Sequence, residues 1–520
     1  MEELQMEQTP ATYERDLLRE SVPAECSVEH TLPDYMPEIR KILRVDAREI
    51  PGGRYLDDAH AEFAGIVGYT VTYTDGEGRL SAVSLNGDYT VTAPMGGCRV
   101  AVAYMDAEVE NTVCRLGGPR RLSLRSTLRC RPHLVAAVPL PHPEAEGCER
   151  LVRRLPARRT LFGESGEIAF SDGVGVPGCP PEGLHPISCD GSLMIEELRP
   201  AADAATLRGT VCIRILAVTE EGRPMSFTSR IPLESEIACE GLLSSDACLP
   251  AGQVTSVSVR ATGDGEGGTR LEIDGTAECR LLAYRNEEAT PTVGMYAPAY
   301  RTEVRSQPLS IERLLGTARG HYTASGSLAV ASGEERASVV LDSAATATVR
   351  KITEEAGHPV VLGDVRVKLL LGGLPEGEET AIPCFSVEYT HPFRIEAPIE
   401  IPAASDVRYE CRVVPLLSRG RIEEGGYAAD TELALSLAAF DSKTCSAVDT
   451  LTPYPEERFP RREGEIVVVY PEEGETLWSV AERYHTTPAA LARANRLPIE
   501  DNEGAAAPAS LDGVAYLLVE

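Results

Sequence analysis

A mainly β chain is predicted by three observations. Apolar and polar residues alternate in many short runs, glycine and proline are abundant at 45 and 37 residues, and long helical periodicities are rare. Runs of this kind, punctuated by turn formers, read as strands of sheets with one buried face. At 520 residues the chain exceeds what one hydrophobic core supports, so several domains are expected. The predicted architecture is three tandem β-sandwich-like domains followed by a small α+β domain of βααβ order.

The three sandwiches rest on an internal repeat. Asp46, Asp190 and Asp342 each precede a glycine, Gly65, Gly209 and Gly363, that opens an alternating strand. The alternating residues are Val67, Tyr69, Val71 and Tyr73 in the first copy, Val211, Ile213 and Ile215 in the second, and Val365, Val367, Leu369 and Leu371 in the third. An acidic-glycine turn follows at Gly78, Gly222 and Gly377. A later strand pair aligns without gaps around Thr127, Thr276 and Thr431. The copies are too far apart for a solenoid, so each is read as its own domain. Proline-rich joints lie at Pro139 to Pro143, Pro177 to Pro186 and Thr452 to Arg462, and such segments make stiff spacers. The resulting division is an N-terminal extension (1–30), copy 1 (31–140), a linker (141–184), copy 2 (185–305), copy 3 (306–451), a proline-rich linker (452–463) and a C-terminal domain (464–520).

The C-terminal domain is predicted from the run GETLWSVAERYHTTPAALARAN, Gly474 to Asn495, which holds the only tryptophan. Thr476 is a good N-cap, and Leu477, Val480, Ala481 and Tyr484 follow at helical spacing. Thr487 with Pro488 restarts a helix, since a proline at the first position needs no amide hydrogen. Ala490, Leu491 and Ala494 make its apolar face. Apolar runs at Ile466 to Tyr470 and Val514 to Val519 supply the flanking strands. Trp478 either stacks on a sugar or fills this small core, and its spacing with Leu477 and Ala481 favours the core.

This pattern resembles the LysM domain in Gly474, Thr476, Leu477, Trp478, Ser479, Ala481, Tyr484, Leu491 and Asn495. The resemblance implies a shallow groove for N-acetylglucosamine-containing glycans, formed by Glu473, Gly474, Glu475, Thr476 and Leu477 on one side and Arg496, Leu497, Pro498 and Ile499 on the other. Glu475 stands where the family usually has aspartate. The second groove loop is lengthened and carries Glu500, Asp501 and Glu503. The triplication, with the phrase Leu32 to Ala47, resembles the SPOCS domain. Three SPOCS copies followed by one LysM resemble SipL-like sporulation proteins of Firmicutes. That resemblance implies a non-enzymatic scaffold of spore coat morphogenesis on the mother-cell side of the forespore surface. Its implied partner is a SpoIVA-like morphogenetic ATPase of the coat basement layer. The alternative is a peptidoglycan-binding cell-wall protein anchored by its LysM end.

Composition narrows the partners. With 80 acidic and 50 basic residues the formal charge is −30, which repels phosphate backbones and argues against nucleic acid. The N-terminus has neither a basic n-region nor an apolar h-region, so no signal peptide is expected. No run is long and apolar enough for a transmembrane segment. The 14 cysteines include no CxxC pair and many sit within apparent strands, as expected of small apolar residues in a reducing cytoplasm.

No enzyme motif is complete. Gly263 to Gly268 lacks the Lys-Ser/Thr of a phosphate loop and reads as a hairpin turn. Phe162 to Glu167 lacks the spacing of a nucleophile elbow. The nine histidines are scattered, with no metal-ligand spacing. No catalytic residue, cofactor or metal is assigned. The basic cluster at Arg150 to Arg159 is read as a solvated linker face, with an acidic partner or anionic membrane surface as the alternative.

Overall fold

The computed structural model describes residues 11–18, 20–177, 183–263, 268–330, 337–373, 383–403, 406–460, 466–497, 511 and 513–519. It is mainly β, with a βααβ C-terminal end. Copy 1 comprises β1 (Thr12–Asp16), β2 (Val22–Thr31), β3 (Lys41–Leu56), β4 (His60–Thr74), β5 (Leu80–Pro94), β6 (Val100–Gly118) and β7 (Arg121–Pro139). The middle three form an antiparallel meander, β3-β4-β5, and β2, β7 and β6 form a second sheet with β7 at its centre. One apolar cluster, including Cys26, Val67, Tyr69, Val91 and Leu128, lies between the two sheets. That is a sandwich with its core between inward faces.

The same plan recurs twice. After a short β8 (Glu149–Val152), copy 2 comprises β9 (Leu155–Glu164), β10 (Ile168–Val176), β11 (Leu184–Ala201), β12 (Ala204–Thr219), β13 (Pro224–Ala238), β14 (Ala247–Gly263) and β15 (Thr269–Ala289). The meander is β11-β12-β13, and β15 is the centre of the other sheet. β16 (Thr292–Tyr296) pairs back with β8. Copy 3 comprises β17 (Tyr300–Ala329), β18 (Ala337–Glu355), β19 (His358–Gly373), β20 (Cys384–Glu396), β21 (Val407–Glu423) and β22 (Gly426–Arg458). Here β18-β19-β20 is the meander, and β22 is central between β17 and β21. The long β17 pairs along β22 as β1 and β2 together pair along β7, and as β9 and β10 pair along β15.

The repeated residues occupy matching places. Gly65, Gly209 and Gly363 are each the sixth residue of the middle meander strand, and all three are buried. A side chain there would run into Tyr89, into the Met194 carbonyl, and into the Thr348 carbonyl and Phe393 respectively. Close approach of neighbouring groups is the reason for glycine. The alternating residues that follow, from Val67 to Tyr73, Val211 to Ile215 and Val365 to Leu371, point into the cores. Gly78 and Gly222 sit in the turns with φ of 79°. Gly377 lies outside the described residues. Thr127, Thr276 and Thr431 stand beside or one residue from a β-bulge in the facing strand. Cysteines are used as small apolar residues: Cys130 and Cys279 are buried, and burial pushes their thiols up to about 11 and about 12.

The expected boundaries move. Segment 1–30, expected as an extension, carries β1 and most of β2. Segment 141–184, expected as a linker, carries β8, β9 and β10. Its strands were hidden because Arg158 faces inward onto carboxylates rather than onto apolar residues. The basic cluster is thus divided: Arg153 and Arg154 are exposed between β8 and β9, whereas Arg158 lies within β9 with its side chain only 2% exposed. The joint at 452–463 is partly strand, since β22 runs to Arg458. Pro453 and Pro455 are tolerated because β21 has ended by Asp441, leaving that side of β22 without a strand partner.

The three copies meet through charge. Arg44 of copy 1 contacts Asp46 at 2.6 Å and Asp342 of copy 3 at 2.5 Å. Arg214 of copy 2 holds Asp190 and Asp342, each at 2.8 Å. Lys368 of copy 3 donates to the Val45 carbonyl at 2.6 Å. The repeated aspartates therefore converge in one network, beside an apolar layer of Leu43, Leu80, Leu216, Leu341 and Leu370. A second network lies among the first strands. Arg158 of copy 2 contacts Asp16 of copy 1 at 2.6 Å and Glu312 of copy 3 at 3.0 Å, and Arg408 contacts the same two carboxylates. Tyr13, Ala157 and Ile311, one from each copy, pack beside it.

Two outcomes follow from this packing. Gly363→Val should lower stability by about 1–3 kcal/mol or more, the usual cost of overpacking. Gly53→Ala should be near neutral, since nothing lies within 4 Å of an added Cβ there; urea titration of both variants checks the contrast. Asp342→Ala should cost on the order of 1.5–3 kcal/mol, because it removes the carboxylate that joins Arg44 to Arg214 while Asp46 and Asp190 still answer each of them. Burial alone would raise the Asp342 carboxyl, but Arg214 and Arg44 outweigh it and hold the group below the usual range. Its stabilisation is then complete above the ordinary aspartate value of about 4 and is lost as pH falls below it. Acid titration of stability should show a shallower loss in Asp342→Asn than in the parent.

Candidate functional site

The C-terminal domain consists of β23 (Val467–Val469), α1 (Leu477–Arg483), α2 (Pro488–Asn495) and β24 (Leu517–Val519), with β23 and β24 paired antiparallel. Thr476 starts α1: its hydroxyl accepts from the Ser479 amide at 3.2 Å, and the Ser479 hydroxyl accepts from the Thr476 amide at 3.0 Å. This reciprocal cap satisfies two otherwise free donors. Thr487 starts α2, accepting from the Ala490 amide at 3.1 Å, with Pro488 at the first position. The turn between the helices passes through His485 at φ 55°. Asn495 fixes the end of α2 to the sheet. Its amide donates to the carbonyls of Leu491 and Leu518 at 2.8 and 2.7 Å, and its oxygen accepts from the Leu518 amide at 2.6 Å.

The residues expected to form a groove divide by role. Glu473 and Gly474 are exposed at the tip of the first loop, where Gly474 takes φ 82°. Glu475 is held internally: its carboxylate accepts from the Glu472 amide at 2.9 Å and forms an ion pair with Arg483. Its carbonyl accepts from the Leu511 amide at 3.1 Å, which ties the loop to the chain before β24. Thr476 is the cap, and Leu477 is buried in the core. Arg496 is exposed in the left-handed region, and the Leu497 amide donates to the Ala492 carbonyl at 2.9 Å. Leu497 packs against the core, so a charge there would disturb folding as well as binding. Pro498 and Ile499 lie outside the described residues, as do Glu500, Asp501 and Glu503.

Trp478 is 7% exposed and packs as the core reading expects, but the core is shared. Tyr296 from β16 meets the indole edge-on, with centroids 4.8 Å apart. A side chain at Gly294 would reach the indole at 3.2 Å. The Tyr296 hydroxyl donates to the Thr486 carbonyl at 2.8 Å, and Phe459 stacks on His485 at 3.5 Å. The domain is therefore seated on the β8–β16 pair through α1 and the inter-helix turn. The exposed groove residues Glu473, Gly474 and Arg496 take no part in that seat. Sequence reasoning missed Gly294, Tyr296 and Phe459, because nothing local marks residues whose partner lies far along the chain.

Comparison with known proteins identifies the domain: the LysM domain model matches residues 472–500. No curated protein matches the chain. Among solved structures, the ferric yersiniabactin uptake receptor FyuA from Yersinia pestis aligns with 77% of this chain and 61% of its own, at 8% identity and a TM-score of 0.10. The chain thus spans less than two thirds of that receptor, and the low TM-score supports no argument. Among the described residues no group of three or more His, Cys, Asp or Glu is placed to hold a metal, and no helix is long and apolar enough to cross a membrane.

The seat is open to a direct test. Trp478 is the only tryptophan, so its fluorescence reports the interface alone. Gly294→Val, which pushes a side chain against the indole, should shift the emission to the red and speed proteolytic release of the C-terminal domain. An unchanged spectrum and cleavage rate would show that the two parts are not packed together in solution.

Proposed function

We propose that this chain is a non-enzymatic scaffold whose three-copy β body presents the LysM domain to a protein partner. The observation that carries this reading is the seat under Trp478, which fixes the domain's orientation while leaving Glu473, Gly474 and Arg496 exposed. A fixed module places its partner at a set position relative to the body, as a scaffold requires. The buried charges support a structural role for the body, because arginines and carboxylates from different copies satisfy one another. Following the SPOCS-and-LysM resemblance, the setting is coat assembly at the forespore surface, on the mother-cell side. The partner is a SpoIVA-like ATPase of the basement layer.

A second reading has its own support. LysM domains take N-acetylglucosamine glycans, and Arg483 neutralises the Glu475 carboxylate beside the groove. That weakens the case for a groove tuned to a basic protein and suits a neutral sugar. The full chain decides between them. In the scaffold reading, the purified basement-layer ATPase binds the chain, and Glu473→Lys with Arg496→Glu weakens binding at least about tenfold, because both charges are reversed against a complementary partner surface. Both residues are exposed, so circular dichroism should be unchanged. Micromolar binding of chitin oligomers, lost in the same double variant and with no ATPase binding, would establish the glycan reading instead.

A further inference from the structure

Away from the C-terminal groove, the seam between copies 2 and 3 holds a cavity of about 250 Å³. Ile195, Val414 and Leu416 give it an apolar side, and Arg319, His321 and Arg412 give it a cationic one. Arg319 and His321 are exposed at its mouth. Glu196 also lines it, and its carboxylate accepts from the Thr210 hydroxyl at 2.8 Å.

Positive charge is in excess at the inner end. Arg412 stands 3.9 Å from Asp106 of copy 1. That carboxylate already forms an ion pair with Arg280 and lies 3.4 Å from His133. The other nearby carboxyl, Glu49, accepts from the Tyr89 hydroxyl at 2.8 Å and is pushed up to about 7 by burial. Two guanidinium groups therefore share one fully ionised carboxylate. Burial, and then the Arg280 charge, both act to lower the affinity of Arg412 for its proton. The seam between copies 1 and 2 is different. There Arg280 is closed by Asp106, and Arg54 by Glu164 at 2.8 Å. In the lining of the cavity Glu196 is the one carboxylate set against Arg319, His321 and Arg412.

We propose that the cavity between copies 2 and 3 binds a small organic acid, its carboxylate on Arg412 and Arg319 and its apolar body on Ile195 and Val414. A guanidinium fork matches a carboxylate, and a partly desolvated one binds it more strongly than an exposed lysine would. The apolar wall adds affinity for a hydrocarbon body and none for a hydrated inorganic anion. The volume lies just below the roughly 300 Å³ at which drug-sized ligand sites begin, which selects a short-chain acid over a nucleotide.

Isothermal titration of the full chain at low salt, with hexanoate, acetate and inorganic phosphate as probes, tests the assignment. Hexanoate should bind with one-to-one saturation, at least about tenfold more tightly than acetate or phosphate, given the area of chain buried. Arg412→Met should weaken hexanoate by about tenfold or more, and Arg319→Gln by a few-fold, the range for charge-assisted hydrogen bonds. Arg319 is exposed, so its variant keeps the fold and the test stands even if Arg412→Met does not fold. The proposal is overturned if hexanoate fails to saturate, if phosphate binds as tightly, or if Arg319→Gln binds hexanoate as the parent does.

Discussion

The docking of the three sandwiches on one another depends on ion pairs buried where they meet, flanked by apolar layers. Asp342 is gripped by Arg44 and Arg214, which come from the other two copies. Arg158, almost wholly buried, answers carboxylates on both sides of its own copy. Desolvating such groups costs several kcal/mol per ion, which mutual attraction offsets only when the geometry is complete. The networks are therefore intolerant of misplacement. A copy that docked in the wrong order would leave a bare charge inside.

The copies are alike in fold and unlike at their junctions, and this is how one order is chosen. The aspartate recurs in all three, but the cations beside it come from different strands: Arg44 from β3, Arg214 from β12 and, 4.0 Å from Asp46, Lys368 from β19. The first strands bring Asp16 and Glu312 from two copies and Arg158 from the third. Three interchangeable sandwiches could pack in several arrangements through apolar contact alone. Distinct charges at matching places leave one arrangement in which every buried ion has a partner. The seam at Arg412 is the exception, where the protein supplies too little negative charge.

The LysM domain depends on the same body for part of its core. It is small, and a domain of its size buries little apolar surface by itself. Tyr296 and Leu151 extend its core beyond its own elements. Its caps, its two helices and its Asn495 clamp follow from local sequence. Of the expected groove residues, Glu475, Thr476, Leu477 and Leu497 hold the domain together, and Glu473, Gly474 and Arg496 are exposed.

The sequence by itself determined the strand-rich class, the threefold recurrence of a glycine before an alternating run, and the βααβ end, whereas the close approach that requires those glycines is tertiary. The first three are local patterns: alternation, caps, and a glycine before each apolar run. The first strands of copies 1 and 2 were not legible, because β1 buries Glu14 and β9 buries Arg158 where a simple pattern would place apolar residues. Alternation cannot distinguish a buried ion from a solvated one. The partners of Asp46, Asp190 and Asp342, the seat of Trp478 on Gly294 and Tyr296, and the cavity at Arg412 belong to the tertiary structure alone. Each joins groups far apart in the chain, and a charge reveals its partner only when folding has removed the water that would otherwise have screened it.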